Sequence, residues 1–200
     1  MKKILIFFIF LGFISSIKAQ ETNREEIETL LQRPSKVRGY VSPYSSYTTL
    51  DNEIAYMNGF HAAGIFNDHF VFGFYKVSLD NNISSNNPNF SNSDIYFEHK
   101  GVWLGYIFFP KRMIHFNTNV QAGKGKLELY DDFFDRWLDD DQLYVITPSV
   151  EVEFNVAKFL RIGLGANYQF ALDVDRYVGY NDDDFSNFGA FVNFKFGWFK

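Results

Sequence analysis

Four charged residues in the second half of the chain could form an ion-pair network. Glu151 and Glu153 are two residues apart, Arg161 follows the short segment 157–159, and Lys195 lies near the last residue. Alternate residues of an extended segment share a face, so the two carboxylates point the same way. Opposite charges could line an ion pathway, but they would also neutralise one another and close it. We therefore predict an interior network of ion pairs.

Four histidines could serve in acid–base or nucleophilic catalysis. His99 is close in sequence to Glu98 and Asp94, and an acidic partner could orient its ring. The sequence positions no serine to complete a nucleophilic set. We predict no catalysis. We expect His61 and His115 to point into the same interior and His69 to lie at a periplasmic turn.

Two acidic stretches could bind Ca²⁺ through carboxylate oxygens. One contains aspartates 131, 132 and 139–141, and the other aspartates 175 and 182–184. Their spacing does not fit the D-x-D-x-D-G pattern of a calcium loop, so solvated loops are the better interpretation. We predict no metal and no cofactor.

The elements that position these residues are β-strands. Segment 160–173 alternates strictly between an apolar set and a set that is mostly polar or glycine, which is typical of a strand with two different faces. Strands of globular proteins peak at about 5–6 residues, whereas a tilted strand needs roughly 9–11 residues to cross a bilayer. This segment is long enough for the membrane. Seven others resemble it, so the predicted strands are 37–48, 53–66, 69–79, 95–109, 114–130, 143–156, 160–173 and 187–199.

The connections between these segments alternate between tight and long. Tight connections fall at 67–68, 110–113 and 157–159, and long polar ones at 80–94, 131–142 and 174–186. Bacterial outer-membrane barrels have short periplasmic turns and longer outer loops. Connection 50–52 is short but leaves the parity unchanged. We predict an all-β fold, an eight-stranded antiparallel up-and-down transmembrane β-barrel over 37–200.

Composition is consistent with this fold class. Aromatic residues make up 20% of the 200 residues, yet the mean hydropathy is only −0.18. A helical membrane protein would be more hydrophobic, and a disordered chain would lack the aromatic residues. The net charge of −5 argues against a nucleic-acid binder. The absence of cysteine excludes disulfides and thiolate metal sites.

Alternation does not say which face is outside, because a soluble lipocalin-like barrel turns its apolar face inward around a ligand. The glycines favour a membrane barrel, since a narrow polar lumen needs small residues beside large ones. Besides the four charged residues, the predicted lumen face holds His115, Asn117, Asn119, Gln121, Asn167, Gln169 and Asn193. The predicted lipid-facing side holds Phe154, Ile162, Leu164, Phe194, Phe196 and Trp198.

The first residues have the three zones of a secretory signal peptide. Lys2 and Lys3 precede an apolar run, and a small-residue exit ends at Ala19. We predict export, cleavage after residue 19, and a periplasmic segment at 20–36 that forms either a short helix or a mobile leader. A membrane-anchoring helix would need about 20 apolar residues, more than this run has.

Several short motifs support location in the outer membrane. The ending KFGWFK resembles the aromatic C-terminal signature that the outer-membrane insertion machinery reads. The chain also resembles a group of small exported barrel proteins from Bacteroidota through Arg38-Gly39-Tyr40, Asp68-His69-Phe70, Ile114-His115-Phe116, Gly123-Lys124-Gly125, Glu153-Phe154-Asn155-Val156, Phe159-Leu160-Arg161-Ile162-Gly163 and Lys195-Phe196-Gly197. This resemblance implies a barrel fold and an envelope location, but no activity.

The sequence as a whole predicts an outer-membrane barrel with a filled polar lumen and a structural or binding role. Expected partners are membrane lipids, lipopolysaccharide, the insertion machinery and an envelope protein of unknown identity. Outer-loop contacts are expected at Phe133, Phe134 and Trp137, which either fold over the barrel mouth or touch a partner. Four alternatives stay open at this point: an accessory subunit of an envelope complex, a lipid A-modifying enzyme, a small pore and a secreted ligand-binding barrel.

Overall fold

The computed structural model describes residues 36–91, 93–131, 133–138 and 140–199. The predicted signal peptide and all but the last residue of segment 20–36 lie outside these described residues. Within them, no helix is long and apolar enough to cross a membrane.

The described chain forms a closed antiparallel β-barrel. Its strands are β1 (Val37–Leu50), β2 (Glu53–Phe66), β3 (Phe70–Leu79), β4 (Ser93–Phe108), β5 (Ile114–Asp131), β6 (Arg136–Trp137), β7 (Asp141–Asn155), β8 (Leu160–Tyr168), β9 (Phe170–Leu172) and β10 (Phe188–Gly197). Each long strand pairs with its neighbours in the sequence, and β1 pairs with β10, which closes the ring. Since β9 continues β8 along β7, and β6 pairs with the end of β5 where it continues the line of β7, the wall has eight strands. The predicted fold class is confirmed.

Side-chain alternation explains why these segments become strands. In β5 and β7, residues that face inward are buried and those between them are mostly exposed. The bounds of β2 are the predicted ones, and most other ends differ by only one or two residues. Two features differ from the prediction. The short strand β6 lies inside a predicted loop, and the strand predicted at 160–173 is interrupted at Gln169, whose N–H donates to the Asn187 carbonyl.

The two ends of the barrel have different connections. Residues 67–69, 109–113 and 156–159 make short turns at one end, where β1 begins and β10 ends. Asn67 and Asp68 both have positive φ, a conformation that asparagine and aspartate adopt more readily than most residues. Longer connections at the other end carry two 3-10 helices, Pro88–Phe90 and Asp182–Phe185. The connection Asp51–Asn52 at this end is a second tight turn with positive φ.

The barrel interior is divided between polar and apolar side chains. Polar groups concentrate near the short turns on the inner faces of β5, β7, β8 and β10. Aromatic and aliphatic side chains cover the inner faces of β1 to β4 and fill the region below the long loops, among them Tyr40, Trp103, Phe97, Leu127, Leu143 and Phe185. The sequence predicted a polar lumen throughout, whereas the structure places an apolar core at the long-loop end.

Candidate functional site

A buried ion-pair network lies inside the barrel near the short turns, and Glu153 is its centre. The Glu153 carboxylate accepts hydrogen bonds from His115 Nε2 at 2.9 Å, from Arg161 Nη1 at 2.8 Å and from Lys195 Nζ. Lys195 Nζ also donates to Glu151 Oε2 at 2.9 Å. The four charged residues of the sequence prediction are therefore in one network, and His115 is in direct contact with it.

Four neighbouring strands supply this network. His115 is directly opposite Glu153 across the β5–β7 pair, and Lys195 is opposite Arg161 across the β8–β10 pair. Each strand contributes through its inward positions, so the polar face that the sequence shows becomes one continuous cluster once these four strands pair side by side. Asn117 completes the β5 side, where its Nδ2 donates to Glu153 Oε2 at 2.7 Å and to Glu151 Oε2 at 3.2 Å.

The charges of the network balance. Two carboxylates face one lysine and one arginine, and all four side chains are at most 5% exposed. Burying a charge is costly unless it is paired, and here each carboxylate is paired with a cation, although Glu151 Oε1 and Arg161 Nε have no hydrogen-bond partner within the described residues. Aromatic rings cover the two cations: Phe199 lies 4.0 Å from the Arg161 guanidinium carbon, and Tyr40 lies 5.5 Å from Lys195 Nζ. The network therefore fills and seals this end of the lumen.

Asparagine and glutamine side chains line the interior above the network. Asn167 Nδ2 donates to the Tyr44 hydroxyl at 2.9 Å, and Gln169 Nε2 donates to the Phe185 carbonyl at 2.9 Å. The structure also places the remaining predicted lumen amides inside the barrel, namely Asn119, Gln121 and Asn193. Of these residues, Gln169 connects the barrel wall to the long loop above it.

A buried histidine in an aromatic cluster was not expected from the sequence. His61 lies in the interior as expected, but its neighbours there are aromatic: its ring centroid lies 4.6 Å from that of Tyr44 and 4.7 Å from that of Trp103. Within the described residues, neither ring nitrogen of His61 has a hydrogen-bond partner. Gly73 leaves room for the cluster, because a Cβ there would overlap the Trp103 indole nitrogen. The mixture of polar and apolar residues in the first strands concealed this cluster in the sequence.

The enzymatic alternative loses its proposed partners in the structure. His99 is buried inside the barrel, 3.3 Å from the Tyr75 hydroxyl through Nδ1. Glu98 is on the outer face of the same strand, because adjacent residues of a strand point to opposite sides. Asp94 also lies on the outer face, where it accepts a hydrogen bond from Ser84. Proximity in sequence therefore did not bring these carboxylates to His99.

A cap closes the long-loop end of the barrel. Tyr180 donates to Asp51 Oδ2 at 3.0 Å and lies 2.6 Å from the Ser85 hydroxyl, so one phenol joins three connections. The N–H of Asp51 donates to the Asp184 carbonyl, and Phe185 is fully buried below. Burial raises the pKa of Tyr180, and it raises the pKa of Tyr177 in the same loop to about 12. This cap, formed mainly by residues 173–187, was missed because its partners are far apart in sequence.

The acidic stretches hold the long loops in shape. Asp141 Oδ2 accepts from the backbone N–H groups of Asp175 and Arg176. Asp131 Oδ1 accepts from the N–H groups of Phe133 and Phe134, and Asp184 belongs to a capping box with Asn181. Within the part of the chain that the structure describes, no three His, Cys, Asp or Glu residues are grouped so that they could hold a metal ion.

The predicted outer-loop contacts do not cover the barrel mouth. Phe133 is 77% exposed and Phe134 is 62% exposed, at the tip of the connection between β5 and β7. Trp137 lies on the outer face, with its ring centroid 4.6 Å from that of Tyr96. These side chains were expected either to fold over the barrel mouth or to touch a partner. The first expectation is wrong, because the cap covers the mouth.

The outer surface of the barrel is apolar over a broad band. Large hydrophobic side chains point outward on all eight wall strands, among them Val41, Phe60, Phe74, Leu104, Phe116, Val150, Leu164 and Phe194. Of the predicted lipid-facing residues, Leu164, Phe194, Phe196 and Trp198 are exposed, and Ile162 and Phe154 are half-buried on the same outer face. Trp198 is 80% exposed beside the short turns.

A cavity of about 560 Å³ opens at the short-turn end below the ion-pair network. Its lining includes Lys36, Lys111, Lys158 and Arg161, together with Arg38, which is ion-paired to Asp68. The mouth at this end is therefore basic, whereas the loops at the other end are rich in aspartate.

Comparison with solved structures shows similarity of fold at low sequence identity. Neisserial surface protein A matches with a TM-score of 0.58 at 9% identity, covering 80% of this chain and 96% of that protein. The N-terminal β-barrel domain of Pseudomonas aeruginosa OprF matches with a TM-score of 0.54 at 7% identity, covering 80% of this chain and 97% of that domain. A third match is Ail, the attachment invasion locus protein of Yersinia pestis, solved in complex with the heparin analogue sucrose octasulfate. Its TM-score is 0.53 at 14% identity, and the match covers 82% of this chain and 99% of that protein.

These neighbours are eight-stranded outer-membrane β-barrels, and at such identities they establish the fold alone. No protein-family model matches the chain, and no curated protein matches its sequence.

Proposed function

We propose that the protein is an exported outer-membrane barrel whose closed interior gives it a structural or binding role rather than a transport role. One observation carries this proposal: the wall exposes a broad apolar band, while the charged groups that point into the barrel are paired with one another. Exposed apolar patches this extensive are rare on soluble monomers, and the same arrangement is stable in lipid. Short turns then face the periplasm and the capped loops face outward.

Tryptophan fluorescence tests the location of the wall. The chain has three tryptophans, of which Trp103 is buried inside, whereas Trp137 and Trp198 lie on the outer face near opposite ends. Phospholipids with brominated acyl chains should quench the wild-type protein strongly. The double variant Trp137→Phe/Trp198→Phe retains Trp103 and should show little quenching. A soluble carrier would stay in the aqueous phase and would show no quenching in either form.

A second candidate function is partner binding by the exposed tip of the connection between β5 and β7. Phe133 and Phe134 contact each other with ring centroids 4.9 Å apart and are otherwise largely exposed, which is unusual for a loop in water. Such a pair could anchor a protein of the envelope. Co-purification in mild detergent that is lost in Phe133→Ser/Phe134→Ser but retained in Phe109→Ser, an exposed phenylalanine at the opposite end, would support it.

A further inference from the structure

The outer face of the barrel carries a row of three lysines, one on each of three neighbouring strands. Lys76 on β3 is directly opposite Lys100 on β4, and Lys100 is directly opposite Lys124 on β5. All three side chains point outward and are exposed. Neighbouring strands are about 4.8 Å apart, so the three Cα positions extend over roughly 10 Å. We call these three residues the lysine row.

The protein neutralises the lysine row only in part, through Glu98. Lys76 Nζ is 2.9 Å from Glu98 Oε2, but neither Lys100 nor Lys124 forms an ion pair with any residue that the structure describes. Like charges directly opposite each other across a strand pair are destabilising. Two unpaired lysines beside a third therefore favour an anion from outside the chain.

The position of the row indicates which anion this is. The next outward row towards the short turns is Phe74, Val102 and Ala122, which belongs to the apolar band. On the other side, towards the long loops, the next outward row is Ser78, Glu98 and Lys126, and the aromatic pair of Tyr96 and Trp137 lies beyond it. A ligand on the lysine row would therefore have its charged part beside the ammonium groups and an apolar part along the phenylalanine and valine side chains.

We propose that the lysine row binds the phosphate groups of a lipid in the outer leaflet, with its acyl chains along Phe74 and Val102. This inference rests on the proposed function, since it places the apolar band in a membrane. Lysine stems can lie along apolar surface while their ammonium groups reach the headgroups. A lysine that faces lipid destabilises a barrel, most at the bilayer midplane and less near the interface, so a phosphate partner relieves this cost. A free soluble anion would gain nothing from the apolar band.

The test compares lipid retention by native mass spectrometry in nanodiscs of phosphatidylcholine, with and without a small fraction of diphosphoryl lipid A. The wild-type protein should retain lipid A in preference to phosphatidylcholine. Lys100→Gln/Lys124→Gln should weaken this retention about tenfold or more, because each lysine near an anionic lipid surface contributes roughly 1 kcal/mol. Lys100→Arg/Lys124→Arg should retain lipid A, and so should Lys111→Gln/Lys158→Gln, which removes two exposed lysines at the opposite end.

Two results would overturn the inference. One is equal lipid A retention in the Lys100→Gln/Lys124→Gln variant and the wild type. The other is equally strong binding of inorganic phosphate in discs without lipid A, which would indicate a site for soluble anions. Quenching by brominated lipid in the same discs reports insertion. If quenching persists while the preference for lipid A is absent, only this inference fails, whereas absent quenching contradicts the proposed function and this inference together.

Discussion

Glu151 occupies the space that a side chain at position 163 would need. A Cβ on Gly163 would overlap the Glu151 carboxylate and would lie 2.6 Å from Asn193 Oδ1. The glycine therefore makes room for the carboxylate that pairs with Lys195. Glycine in a strand usually weakens it, but here the absent side chain permits a buried ion pair.

Replacing Gly163 with alanine should destabilise the barrel by about 1–3 kcal/mol, because the added carbon displaces the Glu151 carboxylate from Lys195. Urea-induced unfolding in lipid vesicles measures this change. Gly39→Ala is the matched control, since the nearest atom to a Cβ at that position is 3.7 Å away and no group needs to move. Equal stability of the two variants would contradict the space-filling role of Gly163.

Glu153→Gln should have the larger effect of two carboxylate substitutions. It leaves Arg161 and Lys195 short of one negative charge in a buried site, and breaking a buried pair in this way typically costs about 3–5 kcal/mol. Glu128→Gln removes the exposed pair with Lys126, which water and salt screen, and should change stability far less. The same unfolding experiment compares both, and similar losses would show that the interior network contributes no more than a surface pair.

Tyr180→Phe should loosen the cap without unfolding the barrel. The substitution removes the hydroxyl that contacts Asp51 and Ser85, and losing such buried hydrogen bonds costs about 1–3 kcal/mol. Hydrogen exchange at the Asp51 amide, which bonds across to Asp184, should become faster, while exchange in β5 should stay slow. Tyr47→Phe, at an exposed tyrosine, should leave both rates unchanged.

Alkaline pH should open the same cap. Burial raises the pKa of Tyr177 to about 12, compared with about 10 in an unfolded chain. A raised pKa in the folded state means that the stabilisation is complete below about pH 10 and is lost as the pH rises towards 12. Phenolate absorbance is measured against pH for the wild type and for Tyr177→Phe. The difference between the two titration curves should have its midpoint near pH 12. A midpoint near pH 10 would show that the loop leaves this hydroxyl in water.

The closed interior should prevent steady ion flow. Trp103, the Glu153 network and Phe185 fill successive levels of the lumen, and an eight-stranded barrel is only wide enough for its own side chains. We expect no sustained conductance in planar bilayers, with insertion verified by quenching of Trp198. Regular single-channel steps would support the pore alternative.

The strand pattern was readable because it depends on local chemistry. The alternation in 160–173 predicted which side chains share a face, and the structure buries Arg161 while it exposes Leu164. The exception was β3, where Phe72 and Tyr75 are both aromatic yet face opposite sides. Alternation can assign two faces only where they differ in polarity.

Other features depend on strand pairing, which no single segment encodes. The lysine row exists because Lys76, Lys100 and Lys124 meet across two strand pairs, and a shift of one residue would have removed it. The contact between Tyr180 and Asp51 joins positions 129 residues apart. The contact between Tyr180 and Asp51 forms only when the barrel has closed and the loops have packed at its end.

The sequence alone determined that the chain makes eight long strands with one apolar face and one face rich in glycine, amides and charge, since a period of two is a local property of each strand. The tertiary structure decided that Glu153 gathers four donors, that His61 lies among aromatic rings and that the loop of Tyr180 caps the lumen. These arrangements depend on which strands become neighbours and in what register, and closure of the ring fixes both.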